Sequence, residues 1–416
     1  MQSCNATDPL RAAASLAMGE RDWASLEGGP LHDVFTRLSA DLDAFNFRHV
    51  CRGWRSAAGA GALIPRPWFV LRSATDGHCA FVRPTAGRRR RSRVRNVRAG
   101  APRVRGASRG WLAVDDGGRL LLRDPISRAE VPLPSFDDPA YQLSDVFLSD
   151  DPLAAPGRWT AFAFFKTDNC AYGYPGKVLA FCRPGDADAE WARFDLDDGQ
   201  QVGFYRGLEF FRGRAYVLLG MYMLAVCDVE TRRVVACPVA LQHMMDWESI
   251  QVSLVECGGN LLVAAVSQFE YATSSFYCVR HRVVRRFLAR VVKIEFEEAG
   301  AGMPVGQSNV ECIGDYALFV APQGHAFALP VRGFPAVRPG CVYHFAASIT
   351  TKSVSGMVVT ELLGQDPTKL QDDPLRKLPL AGGGGWRLGC WFCPRSPSLE
   401  TTPARRRRGT LRLSHK

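Results

Sequence analysis

The chain has 416 residues, 47% hydrophobic and 22% charged, with a mean hydropathy of −0.09, a soluble globular composition with material for a large core. Its longest uncharged apolar run, Tyr216 to Cys227, is shorter than a bilayer span. The formal charge of +11 sits in two segments: ten Arg and no acid between Arg88 and Arg109, then five Arg and Lys416 after Glu400. The rest is mildly acidic, so the charge is no sign of a nucleic-acid-binding domain.

Thirteen cysteines, an odd number, are scattered from Cys4 to Cys393 without the spacing of a secreted disulfide framework. Most lie in apolar runs, where a free thiol packs as a small core residue. This predicts a reducing compartment, cytoplasm or nucleus. The apolar run AAASLAM is too short and too interrupted for a signal peptide.

Residues 1–20 read as a disordered leader. A helical head follows over 21–62. Leu31, Val34, Phe35 and Leu38 recur at three- and four-residue spacing, one face of a helix whose first turn takes Pro30. Asp43 is a good N-cap for a second helix running through Phe47, Val50, Cys51 and Trp54, ended by Gly59 and Gly61. So short a stretch cannot bury this much apolar surface alone, which predicts a covering partner.

From 66 to 394 the pattern turns to strands. Runs rich in Val, Leu, Phe and Tyr, such as Gly110 to Val114, Trp159 to Phe165, Leu261 to Val266 and His325 to Leu329, alternate with Gly, Asp, Pro and Asn turns. Gly213, Gly258 with Gly259, and Gly314 each stand before an apolar run, at intervals near the 40 to 50 residues of a propeller blade. The expected fold is mainly β, a small all-α head followed by a β-propeller of about six or seven blades. The basic stretch at about 87–105 is read as a blade-connecting loop, and 395–416 as a disordered basic tail.

Catalytic signatures are sparse. No P-loop, H-E-x-x-H or strand-to-helix dinucleotide motif occurs. Cys390 and Cys393 form a lone C-x-x-C without further ligands, read as strand-end packing, so no metal and no cofactor are expected. His243 and Asp246 stand beside Trp247 in a polar turn that assigns no acid or base role. Arg88 to Arg91 is compatible with a solvated loop or a nuclear import signal. It lacks the interleaved aromatics of nucleic-acid binders.

The head resembles the F-box, the motif that binds the Skp-type adaptor of Skp–cullin–F-box ubiquitin ligases. Leu26 fills the opening Leu, and Leu31, Val34, Phe35 and Leu38 follow at the family's intervals. Asp43, then Val50 and Cys51, then Trp54 and Arg55 reproduce its second half. Glu27 stands where the family has Pro, and Pro30 falls inside the helix. The remainder resembles plant F-box proteins with a KIB-type β-propeller, on Gly106 to Leu112 (GASRGWL), Asp124 to Ser127 (DPIS), Val131 to Pro134 (VPLP), Leu179 to Gly185 (LAFCRPG), Gly340 to Tyr343 (GCVY) and Trp391 to Pro394 (WFCP). After Tyr343 the family's Asp-rich stretch is replaced by HFAASITTKSVSG, and an irregular last blade is expected.

The resemblance implies a non-enzymatic substrate receptor. Leu26, Leu31, Val34, Phe35, Leu38, Val50, Cys51 and Trp54 would bind the adaptor and, through it, a cullin scaffold. Tyr172, Tyr174, Trp247 and Tyr271 are candidates to hold a substrate protein. The alternatives are a propeller enzyme or metabolite-binding protein, and an interaction module outside the ligase.

Overall fold

The computed structural model describes residues 23–38, 43, 47, 50–58, 67–73, 79–82, 103–116, 118–125, 129–136, 138, 140–171, 174–183, 190–196, 202–220, 223–241, 249–273, 282–297, 302–321, 325–332, 337–347, 354–362 and 386–393. They fall into two compact units; those up to Ala58 belong to the first, and those from Pro67 to Cys393 lie in the second, Pro65–Arg395. The readings of residues 1–20, most of the basic stretch, the His243 turn and the tail fall outside the described residues. No helix among the described residues is long and apolar enough to cross a membrane.

In the first unit, a 3-10 turn (Trp23–Ser25) leads into α1 (Gly28–Arg37). Glu27 is its N-cap and makes no side-chain cap, so the orphan N–H groups of the first turn lose a usual acceptor. Pro30 sits in that turn, where its missing N–H costs little. Asp43, Phe47 and Val50 are helical, but Cys51 is extended, with φ −161°, and caps a separate helix, α2 (Arg52–Ala57). The single second helix expected from Asp43 is thus interrupted at Cys51. Leu31, Phe35, Phe47 and Ala58 form the unit's small core, with Leu38, Trp54 and Ala57 packed against it.

The second unit is a β-propeller. Its first strands are β1 (Trp68–Ser73) and β2 (Cys79–Val82). The first full sheet runs β3 (Arg103–Ser108), β4 (Trp111–Asp116), β5 (Arg119–Arg123), β6 (Glu130–Pro132). The second holds β7 (Tyr141–Leu148), β8 (Ala161–Ala171), β9 (Tyr174–Cys182) and β10 (Ala192–Arg193), and the third receives β11 (Asp195–Leu196). After β12 (Val202–Gly203), which pairs with β9, come the third sheet's β13 (Tyr205–Phe211), β14 (Arg214–Leu219), β15 (Met223–Asp228) and β16 (Arg233–Ala240). The fourth is β17 (Ser249–Cys257), β18 (Asn260–Thr273), β19 (Arg282–Phe296), β20 (Pro304–Asn309). The fifth contains β21 (Tyr316–Phe319), β22 (Phe327–Pro330), β23 (Cys341–Ala347) and β24 (Val354–Glu361), before β25 (Trp386–Phe392).

Five sheets therefore have four or five strands, and a sixth, β2-β1-β25, has three. The expectation of six or seven full blades is corrected to five, with the three-stranded sheet joining the unit's two ends. Dividing length by a standard blade overcounts because β18 and β19 run 14 and 15 residues. The fifth sheet is irregular in its strand order, whereas after Tyr343 β23 and β24 pair antiparallel. Its order is β22-β21-β23-β24, with β21 and β23 parallel.

The core lies between neighbouring sheets. Trp111, Leu148, Phe165 and Trp191 pack the first against the second. Phe162, Phe194 and Tyr205 join the second to the third. Tyr216, Leu254 and Val263 join the third to the fourth, and Val266, Leu318 and Val342 the fourth to the fifth. Sheets covered on both faces need apolar side chains on both, which explains the runs without alternation.

Three first-to-second-strand hairpins share one device. Arg109 and Gly110 have φ 48° and 79°, Arg212 and Gly213 have 49° and 76°, and Gly258 and Gly259 have 56° and 78°. Two successive positive φ values define the type I′ turn that matches strand twist. Gly314 does not belong to this series, for it precedes β21 at the start of a new sheet.

Candidate functional site

The head's apolar residues divide into two groups. Leu31, at 1% exposure, and Phe35 are buried within the head. Phe47 packs on Phe35 at 5.2 Å and on Trp54 at 4.6 Å between ring centroids. The Trp54 indole N–H donates to the Trp23 carbonyl at 2.8 Å, and His32 Nδ1 lies 3.0 Å from the Ala57 carbonyl, tying α1 to α2. Cys51 and Trp54 are half-buried, and Leu38 packs on the core. Leu26, Val34 and Val50 remain outside this packing at 39%, 47% and 54% exposure, with Trp23 at 58%. Of the eight residues expected at an adaptor surface, Leu26, Val34 and Val50 present their side chains to solvent, and Leu31 and Phe35 hold the head together.

Of the propeller candidates, Tyr172 and Trp247 lie outside the described residues. Tyr174 begins β9 and Tyr271 lies near the end of β18.

A feature absent from the sequence reading lies on the propeller axis. Each sheet presents one edge strand, β3, β7, β13, β17, β22 or β25, toward its neighbours' edges. Between β3, β13, β17, β22 and β25 lies a cavity of about 220 Å³ lined by Ser108, Glu209, Phe210, Glu256, His325 and Trp391 among others. Glu209 is 3% exposed. Its carboxylate accepts the Phe210 backbone N–H at 2.9 Å and lies 2.7 Å from His325 Nε2. His325 is positioned through its own backbone N–H, which donates to the Ala107 carbonyl at 3.2 Å.

Gly106 to Gly110 spells G-x-S-x-G, a motif the sequence reading missed. A nucleophile elbow needs a strand-to-helix turn, whereas Ser108 ends β3 and is followed by a hairpin into β4. Its hydroxyl accepts the Leu148 N–H at 3.0 Å, a link between the first and second sheets.

Among the described residues no group of three or more His, Cys, Asp or Glu is placed to hold a metal. Cys390 and Cys393 form no disulfide. Burial pushes the Cys182 thiol up to about 12 and Cys237 to about 11, so these side chains are inert core.

Comparison with known proteins agrees with this architecture. Over 118 residues the chain is 33% identical to an Arabidopsis thaliana protein named as an F-box protein, a match covering 26% of this chain and 31% of that relative. The chain thus spans about a third of the curated relative's length. An α-L-arabinofuranosidase from Lactobacillus brevis aligns over 79% of this chain and 97% of its own at 12% identity, with a TM-score of 0.28, too low to carry an argument. The KIB1-4 beta-propeller family profile matches residues 81–360, about two thirds of the sequence. With its ring of sheets and that match, the chain belongs to the KIB1-4 β-propeller family.

Proposed function

We propose that this protein is the substrate-recognition subunit of a Skp–cullin–F-box ubiquitin ligase acting in the cytoplasm or nucleus. The head docks on a Skp-type adaptor, and the propeller holds a target protein. The function is proximity: raising the local concentration of the target's lysines at the ligase, whose other subunits perform the transfer. The observation that carries this reading is the apolar surface left on the head once its own core is filled, Leu26, Val34 and Val50. Such residues are costly to expose together unless a partner covers them. Similarity to a protein named as an F-box protein supports the same reading. The test is affinity purification of the intact chain beside a deletion of residues 21–62. Adaptor and cullin should return only with the intact chain, and their return with the deletion would refute the proposal.

A second reading is favoured by the Glu209–His325 pair in the axial cavity. In it, the propeller binds a metabolite or acts as an enzyme, with His325 the only described imidazole in that cavity. It predicts turnover of a small molecule by the propeller without partners, removed by His325→Ala.

A further inference from the structure

We infer that the axial cavity is a receptor for one basic side chain, an arginine guanidinium or lysine ammonium, carried by a peptide segment. Its size comes first. About 220 Å³ is below the range of cofactor and drug-sized sites, roughly 300 to 1,000 Å³, and suits a single long side chain entering from solvent.

Its chemistry comes second. The lining brings together Glu209 and Glu256 with Phe210, Phe327, Trp391 and Arg109. Glu209 is buried, and among the described residues its one titratable partner is His325. That carboxylate is held out of water between the Phe210 N–H and His325 Nε2, and a buried carboxylate favours a cationic donor that reaches it. Glu256 is exposed at the rim, where one oxygen accepts the Gly259 N–H at 2.9 Å and the other is open to a guest. Arg109 is the one Arg or Lys among the described lining residues, and its Nε–H is committed to the Leu148 carbonyl at 2.8 Å.

The propeller alone makes this site. It stands whether or not the head binds an adaptor, and its test uses no adaptor.

The experiment measures binding of Nα-acetyl-arginine amide and Nα-acetyl-citrulline amide to the full chain by ligand-observed NMR. The two probes share their shape and differ in charge. The arginine probe should bind at least about ten-fold more tightly, the difference one charge-assisted contact makes, and Glu256→Gln should remove most of that preference. Glu209→Gln should remove it too, with a thermal melt checking that this buried variant folds. Glu256 lies on the exposed rim, so its variant is readable regardless. Equal binding of the two probes, no binding of either, or an arginine preference unchanged in Glu256→Gln would each overturn the inference.

Discussion

The two units break the usual rule of burial in opposite senses. The head leaves Val34 and Val50 in water, while the propeller takes Glu209 and His325 out of it. An exposed apolar patch and a buried polar pair are the informative departures in a folded chain. The proposed partners differ accordingly: another protein covering the head's exposed apolar side chains, and one group entering the propeller's small recess.

If the units are energetically separate, damage to one should leave the other working. Trp391 is 1% exposed, its indole N–H donates to the Val320 carbonyl at 3.0 Å, and its ring lies 4.9 Å from Phe345 and 5.0 Å from Phe319. Trp391→Ala should cost about 3 to 5 kcal/mol, lowering the Tm of the propeller while adaptor capture persists. Loss of capture in that variant would show that the units are coupled. The reciprocal change is Leu31→Ala, a cavity in the head's small core worth about 2 to 5 kcal/mol. It should abolish hydrogen-exchange protection of α1 and adaptor capture together, leaving propeller protection unchanged.

Two smaller effects sharpen the contrast. His344 is fully buried, its Nε2 2.8 Å from the Thr360 hydroxyl, and burial lowers its pKa to about 3. Above an unfolded pKa near 6.5 the ring is neutral in both states and costs nothing. As pH falls below that, the unfolded chain takes up a proton that the folded one refuses. The propeller should lose about 2 kcal/mol between pH 6.5 and 5 from this group, seen as a falling Tm that His344→Gln flattens. In the head, Glu27→Ser supplies the missing N-cap of α1 and should stabilise it by about 1 kcal/mol, read as slower hydrogen exchange at Leu31.

Much of this architecture was legible before the structure. Outer and middle strands such as β14, β15 and β18 announce themselves as apolar runs, since both faces are covered. Of the axis-lining strands, β22 was read as the apolar run His325 to Leu329, but β7 and β13 were harder to see. β13 carries Gly207 and Glu209, and β7 carries Ser144 and Asp145, polar or small residues that interrupt the pattern where strands face the channel. The Glu209–His325 pair was hidden for the same reason, and because 116 residues separate its members. In the head, spacing located the apolar face but could not divide it. Val34 and Leu31 are three residues apart on one helix, yet one is exposed and the other buried, because the fold-back of Phe47 and Trp54 covers only part of the stripe.

The central claim is that the head's leftover apolar face docks an adaptor. The most direct measurement is calorimetric titration of a purified Skp-type adaptor into the full chain and into the Val34→Asp, Val50→Asp double variant. Both positions are exposed, so the variant should melt with the wild type, and its affinity should fall by at least about 100-fold. Undiminished adaptor binding in a folded double variant would contradict the account.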